Sequence, residues 1–395
     1  MRIGIFTDTY FPQVSGVATS IKVLKEQLEK LGHQVYIFTS TDPNVDKHKK
    51  ERNIFRFASL PFIFFKDRRL AVRGEFKALR IAKKLNLDII HTQTEFSMGM
   101  MGKFVAKHMH IPCVHTYHTM YEDYLHYVAD GKLLKPKQVA QLTRMFLHHV
   151  TAVVAPSERV LSTLKNYGIK NAIKVIPTGV NVNHYKENDL SIKDEVRSNL
   201  NIDKDIPVLV TVSRLALEKN INFLIDNLSK LLNRNSNIKL VIVGDGPARQ
   251  ELQAQVEDLH LKENVIFTGE IKHTEVYKYY QMADVLVSAS DSESQGLTYI
   301  EAVAAHIPIV VKDSPYVRSL LNYSNVGEAF INVDEFVEDV FKCLQNKLDY
   351  TDSKKLLREI SADTFGQRIV EFYRFAYQEY INRRLSNGTR KRKFK

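Results

Sequence analysis

Residues 286–305 read LVSASDSESQGLTYIEAVAA. LVSAS closes an apolar run begun at Val285 and predicts a buried strand ending there. DSESQG is a polar turn, and LTYIEAVAA opens a helix. Gly296 stands just before Leu297 and Thr298, so backbone N–H groups are expected at the helix start, where they make a ready anion site. Glu293 and Glu301 flank that site, eight residues apart. A phosphate-bearing ligand with hydroxyls on either side would use all of these groups. Taken alone, the stretch fits equally well a plain helix with Glu293 as its cap and Glu301 as a first-turn acid favoured by the helix dipole.

Upstream, the same strand–turn–helix rhythm recurs. Strands are predicted at Val208 to Val212, Lys239 to Val243, Val265 to Thr268, Asp284 to Ser288 and Ile309 to Val311. Helices are predicted at Asn220 to Leu232, Arg249 to Leu259 and Thr274 to Gln281. Strand alternating with helix predicts a parallel sheet. The exit loop SRLALEKN places Arg214 and Lys219 five residues apart. Two cations converging beside a helix start would neutralise a diphosphate and stabilise the charge that develops as a nucleotide leaves. Arg offers a planar fork and Lys a point charge, so the two are not redundant. The turn GDGP at 244–247 suggests close backbone approach at Gly246, although such a turn is common.

The first half repeats the pattern. Arg2 to Thr7 is a strand, and a loop with Pro12 and Gly16 follows. Val17 to Leu31 has helical apolar spacing, Gly32 stops it, and Val35 to Thr39 is a strand. The loop holds one glycine at the bend, not the full G-x-G-x-x-G signature. Gly16 would let a phosphate or sugar approach the backbone, or would simply turn the chain. Further strands are expected at Asp88 to His91, Ile111 to Thr116, Ala152 to Ala155 and Lys174 to Ile176, with helices at Met98 to His108 and Pro136 to His149. His115 and His118, in HTYHTM, lie where a strand opens into a loop, the place where open sheets hold ligands. No third ligand is spaced to make a metal site with them.

Residues 181–205 are polar and broken, and the domain boundary is expected there. The layout is then 1–180, a linker over 181–205, a second domain over 206–365, a C-terminal helix over 366–385 and a basic tail over 386–395. The fold class is α/β, with two Rossmann-like domains facing across a cleft that holds the active site.

Net charge is +11 over 395 residues, and it is clustered. From Lys47 to Lys84 there are thirteen Lys or Arg against three acids, and from Arg383 to Lys395 seven basic residues and no acid. Such patches attract nucleic acid or an anionic membrane. Phe55 to Leu70, FRFASLPFIFFKDRRL, sets Phe62, Phe64 and Phe65 beside Lys66, Arg68 and Arg69. Arg73, Lys77, Arg80, Lys83 and Lys84 continue a basic helix. This pattern fits an element lying in a membrane interface, a nucleic-acid surface, or a core strand followed by a solvated helix face. The two cysteines, Cys113 and Cys343, give no disulfide framework or metal spacing, which fits a cytosolic chain. No run of eighteen apolar residues predicts a membrane span, and the N-terminus reads as a strand and loop, not a secretion signal.

The Gly16 loop, HTYHT, PTGVN, SRLALEKN, VGDGP, FTGEI and ESQGLTYIE together resemble the retaining glycosyltransferases of family 4, which have the GT-B fold. The likeness runs over nearly the whole chain. FSMGMMG and HTYHTMYEDY are similar to bacterial members that glucosylate diacylglycerol. The resemblance implies that Arg214 and Lys219 hold the donor diphosphate, with backbone N–H groups of Gly296, Leu297 and Thr298 on its other side and Gly16 and Val17 from the N-terminal domain. Gly246 would line the donor site, Glu301 would bind the ribose hydroxyls, Glu293 the sugar hydroxyls, and Ile271 the base through its backbone. His118 would sit near the anomeric carbon. Pro177, Thr178 and Gly179 would lie near the interdomain surface, and the C-terminal helix would return to the first domain. The family often has Gly or Phe just after its first Glu; Ser294 and Gln295 stand here, which weakens any inference of sugar identity.

The expected reaction is transfer of glucose from UDP-glucose to 1,2-diacylglycerol with retention of configuration, by a peripheral enzyme on the cytoplasmic face of the cell membrane. Anionic membrane lipids are expected partners, and neither a tightly bound cofactor, a site metal nor nucleic acid is expected. The alternatives are a family 4 enzyme with another acceptor or UDP-sugar, and a nucleic-acid-binding protein. Two carboxylates bracketing a glycosidic bond would fit hydrolysis, but a cationic diphosphate cradle between them does not.

Overall fold

A computed structural model of the chain describes residues 1–13, 15–45, 51–62, 65–122, 135–185, 190–272, 274–321, 326–345 and 353–392, without the side chains of 62, 65–68, 190, 353–354 and 387–392. The chain forms two compact units, one of residues 1–179 with 362–395 and one of residues 180–361.

In the first unit the apolar runs become β1 (Arg2–Thr7), β2 (Gln34–Ser40), β3 (Ile54–Phe57), β4 (Ser59–Phe62), β5 (Phe65–Ala71), β6 (Ile89–Thr92), β7 (Cys113–Thr116), β8 (Ala152–Ala155) and β9 (Ala172–Val175). Seven of them make a parallel sheet in the order β3-β2-β1-β6-β7-β8-β9. The second unit carries β10 (Val208–Val212), β11 (Lys239–Val243), β12 (Val265–Gly269), β13 (Val285–Ser288), β14 (Ile309–Lys312) and β15 (Gly327–Phe330). These form a parallel sheet in the order β12-β11-β10-β13-β14-β15. Strands buried on both faces need near-continuous apolar sequence, which VLVTV, KLVIV and VLVS supply.

Each sheet winds outward in two directions from its first strand. The order reverses between β1 and β6 in one unit and between β10 and β13 in the other. Loops leaving the carboxyl ends on either side of such a switch point diverge and leave a crevice for ligand. In the second unit those two loops are SRLALEKN after β10 and DSESQG after β13.

Several elements differ from expectation for local physical reasons. The basic aromatic stretch is not one amphipathic element: β4 and β5 form an antiparallel pair, followed by helix Glu75–Leu85. Arg69 is committed to that hairpin, donating to Thr41 O at 3.0 Å and Ser59 O at 2.8 Å. Phe64 lies outside the described residues, as do the side chains of Phe62, Phe65, Lys66 and Arg68. The helix expected over 220–232 is broken into Ile221–Asp226 and Leu228–Leu232, after a separate 3-10 turn over Leu217–Lys219. Asn220 sits at φ +50, a left-handed conformation that Asn tolerates. Asn227 Nδ2 donates to Phe223 O at 2.9 Å, competing with helix bonding.

The stretch expected as a linker carries helices Val182–Tyr185 and Leu190–Asn199 within the second unit. Arg197, only 1% exposed, donates to Met282 O, Lys204 O, Ile206 O and Asp284 Oδ2 at 2.8–2.9 Å. The C-terminal helix runs over Ala362–Arg392 and belongs to the first unit. Gly366 lets it approach helix Gly16–Lys30: a Cβ there would lie 2.7 Å from Gln27 Cβ. Ile369 and Tyr373 on this helix are fully buried against Ile3, Ile5 and Ile37, and burying each such side chain stabilises the unit by about 2 kcal/mol.

Candidate functional site

In the second unit the site grows from the end of β10. The turn after β11 packs backbone to backbone on the SRLALEKN loop. Ser213 N donates to Val243 O and Leu215 N to Asp245 O, both at 3.0 Å. A Cβ at Gly244 (φ +135) would lie 1.9 Å from Ser213 O, and one at Gly246 would lie 2.3 Å from Leu215 O. Gly246, expected beside a ligand, is required here by the neighbouring loop whose path it fixes.

Arg214 is exposed on that loop. Lys219 closes it and reaches Glu293 on the facing loop, Nζ to Oε1 2.6 Å, with both side chains largely covered. Asn220 Nδ2 donates to Ala289 O at 3.3 Å and Ser290 Oγ to Glu218 O at 3.4 Å. The two exit loops at the switch point are thereby joined side chain to backbone, and residues 74 apart in sequence act as neighbours.

Gly296 adopts φ +60 immediately before helix Leu297–Ala304 and, as its N-cap, brings no side chain of its own to that terminus. A Cβ there would lie 2.6 Å from the Tyr299 ring. Glycine is thus demanded both by its backbone conformation and by the ring, and the turn aims the amides of Leu297 and Thr298 out of the helix start. One turn further in, Glu301 is buried. Tyr280 Oη donates to its Oε2 at 2.7 Å, and Tyr185 donates to the carboxylate as well. Burial pushes its pKa up to about 7 against the pull of the two tyrosine hydroxyls. A buried carboxylate with two neutral donors and no cation among those partners is poised to accept hydrogen bonds from hydroxyls. Ile271 follows β12, half-buried against the core of this unit.

In the first unit, His118 follows β7, with its Nε2 2.6 Å from Gln93 Oε1. That acceptor places the proton on Nε2 and leaves Nδ1 as a lone pair. Burial first, then the neighbouring His115, lower the His118 pKa to about 4, so the ring is neutral near pH 7. His115 is fully buried. Its Nδ1 is 2.9 Å from Thr92 Oγ1 and its Nε2 3.1 Å from Glu95 Oε1. Tyr121 donates to the other oxygen of Glu95. Burial alone would raise the Glu95 pKa, but the His115 hydrogen bond and charge together with Tyr121 hold it below the usual carboxylate range. Gly16 and Val17 open helix Gly16–Lys30, where Ser15 Oγ accepts from Ala18 N at 3.1 Å. Thr178, near the end of the unit's first segment, hydrogen-bonds Ser20 at 2.9 Å.

Among the described residues no group of three or more His, Cys, Asp or Glu is placed to hold a metal ion, and no helix is long and apolar enough to cross a membrane. Sequence reading did not single out Gln93, Glu95, Tyr185 and Tyr280. The acid in HTQTEF, directly after a buried strand, was the available signal for Glu95. Tyr185 was hidden in the polar stretch.

Two doubly wound parallel sheets, one in each unit, make the chain a member of the GT-B fold class. Anabaena HepE in complex with UDP-glucose shares the fold at a TM-score of 0.75, with 16% identity over 94% of this chain and 99% of that one. A glycosyltransferase of Rickettsia africae does so at 0.74, with 19% identity over 95% and 98%. The chain belongs to glycosyltransferase family 4: the family described as Glycosyltransferase Family 4 matches residues 14–184, and Glycosyl transferases group 1 matches residues 192–360. It is 45% identical to the alpha-monoglucosyldiacylglycerol synthase of Streptococcus pneumoniae over 94% of this chain and 85% of that protein. It is 33% identical to the protein of the same name from Acholeplasma laidlawii over 88% and 89%.

Proposed function

We propose that this glycosyltransferase moves glucose from UDP-glucose to the free hydroxyl of 1,2-diacylglycerol, giving an α-linked glucolipid. The observation that carries the donor half is the Lys219–Glu293 pair, which holds two switch-point loops together beside the Gly296 helix start. Arg214 and Lys219 would meet the diphosphate, with the amides of Gly296, Leu297 and Thr298 on its other side. Glu301 would take the ribose hydroxyls and Ile271 the base. Lys219 would turn from Glu293 to the phosphate on binding, freeing Glu293 for the sugar hydroxyls. From the first unit, Gly16 and Val17 would approach the phosphates, and neutral His118 would sit near the anomeric carbon. The acceptor hydroxyl would attack that carbon on the face the diphosphate leaves, its proton passing to the departing phosphate oxygen. The sugar keeps its configuration, and the cations take the developing charge.

The acceptor half rests on the likeness to the two synthases and on the first unit's surface. Leu60, Val72, Phe76 and Met100 are exposed, Phe76 at 75%, amid Arg73, Lys77, Arg80, Lys83 and Lys84. Basic side chains would meet anionic head groups, at about 1 kcal/mol each, while the apolar ones enter the interface. The enzyme would be peripheral on the cytoplasmic leaflet. Incubation with labelled UDP-glucose and diacylglycerol in anionic vesicles tests this. Label in a chloroform-soluble glycolipid is expected; label only in water-soluble products would exclude a lipid acceptor.

A further inference from the structure

Helix Ala362–Arg392 changes character at its middle. Phe365, Ile369, Phe372, Tyr373 and Ala376 are buried in the first unit. From 381 to 386 every residue is exposed. Beyond Ala376 the helix has little core to hold it, yet its large apolar residues do not scatter. Tyr377, Ile381 and Leu385 are 44%, 38% and 66% exposed. At i, i+4 and i+8 they fall on one stripe. Arg374 and Arg384 border that stripe and are also exposed, the Arg384 guanidinium lying 5.7 Å from the Tyr380 ring. Arg383 points elsewhere, donating to Val150 O at 3.3 Å and tying the helix to the body of the unit. From Arg383 to Lys395 there are seven basic residues and no acid.

We propose that the exposed stretch of this helix between Tyr377 and Ser386, with the basic sequence that follows it, is an amphipathic anchor that lies on an anionic bilayer surface. Three observations converge on that occupant. A short helix segment without packing is marginal in water, and such segments are stabilised by burial of an apolar face. A stripe of one tyrosine and two aliphatic residues with arginines at its edges matches an interface in which apolar groups enter and guanidinium groups stay at head-group level. A run of basic residues with no acid complements a surface of uniform negative charge, whereas a docking face for a folded protein ordinarily mixes signs. The anchor is separate in sequence from the basic stretch near Arg73 and Lys77. Two weak attachments on one unit bind far more tightly than either alone. The inference draws its setting from the lipid-acceptor reading, but it concerns attachment and not chemistry.

The test uses the full-length protein and vesicles of equal parts phosphatidylglycerol and phosphatidylcholine, without diacylglycerol or donor. Two variants are compared with wild type: Y377S/I381S/L385S, and R384Q/R390Q/K391Q/R392Q. Tyr377, Ile381, Arg384 and Leu385 are exposed on the helix, and unchanged thermal melting and UDP affinity verify folding. Each variant is expected to lose about tenfold or more in vesicle partition. Raised salt should weaken binding of wild type and of the serine variant, and have less effect on the glutamine variant. Partition equal to wild type in both variants would overturn the anchor. So would equal wild-type binding to purely phosphatidylcholine vesicles, or a loss seen only in binding to duplex DNA. Glycolipid synthesis with unaltered vesicle binding by the variants would sink the anchor and leave the function standing; helix-dependent vesicle binding without glycolipid synthesis would do the reverse.

Discussion

Replacing Glu301 by Gln should make the protein more stable above pH 7 while weakening its hold on UDP. Burial pushes the Glu301 pKa from its ordinary 4.5 up to about 7, so the folded protein holds this proton more tightly than the unfolded chain does. The sign follows from that. The protonated carboxyl costs nothing extra below about pH 4.5; the penalty grows as pH rises through 7 and is then complete. A displacement from 4.5 to about 7 corresponds to roughly 3 kcal/mol. Gln keeps an acceptor for the Tyr280 hydroxyl, which donates to Glu301 at 2.7 Å, and carries no charge to desolvate. Urea unfolding at pH 5 and pH 8 should give nearly equal stabilities for the two proteins at the lower pH and a clear gain for E301Q at the higher. Calorimetric titration with UDP at pH 8 should show affinity lower by about tenfold, because a charged acceptor of ribose hydroxyls is worth about 1.5 kcal/mol more than an amide. Binding of UDP favours the ionised carboxylate, so wild-type affinity should also fall as pH drops below 7 more steeply than that of E301Q. A variant no more stable than wild type at pH 8, or one that binds UDP as tightly, would refute the reasoning.

Arg214→Ala and Lys219→Ala should each cut turnover by at least about 100-fold, a loss of roughly 3 kcal/mol of transition-state stabilisation; steady-state rates near wild type in folded protein would remove both from the diphosphate. Glu293→Ala should lower turnover with the sugar donor and leave UDP affinity within about threefold, since its proposed contact is with the sugar; calorimetry showing a loss equal to that of Glu301→Ala would merge the two roles. Phe76→Ser combined with Arg73→Gln and Lys77→Gln should reduce activity on bilayer-embedded diacylglycerol without changing UDP affinity. Arg69 is left in place because it holds the hairpin, and unaltered activity on vesicles would take the first unit's basic surface out of acceptor delivery.

Much of the architecture was legible in short apolar runs. VLVTV and KLVIV are rich in β-branched residues and are followed by polar or glycine-led loops, and β10 and β11 occupy the bounds that pattern predicts. The Gly296 turn was readable for the same reason: a polar turn ending in glycine, before an apolar helix, leaves few other conformations. The stretch 181–205 was not readable, because Arg197 is charged and its partners are mainly backbone carbonyls, which no residue code announces. β15 was missed since GEAF has neither length nor branching to mark it. The Glu95–His115–Tyr121 arrangement depends on β6 lying beside β7, and the Tyr185–Tyr280–Glu301 arrangement on helix Val182–Tyr185 packing near helix Val276–Met282. Both are facts of tertiary order rather than of spacing. Glycines behaved similarly: Gly246 was legible as a close approach, but what approaches it is the loop at Leu215.

The central claim is a retaining glucosyl transfer to diacylglycerol, and the anomeric configuration of the product tests it most directly. Purified enzyme, UDP-glucose and diacylglycerol in phosphatidylglycerol vesicles should yield a monoglucosyl lipid. The proton coupling at its anomeric carbon, read by NMR of the extracted lipid, should be the small one of an α-glucoside. A β-glucoside, or release of free glucose with no lipid product, would contradict it.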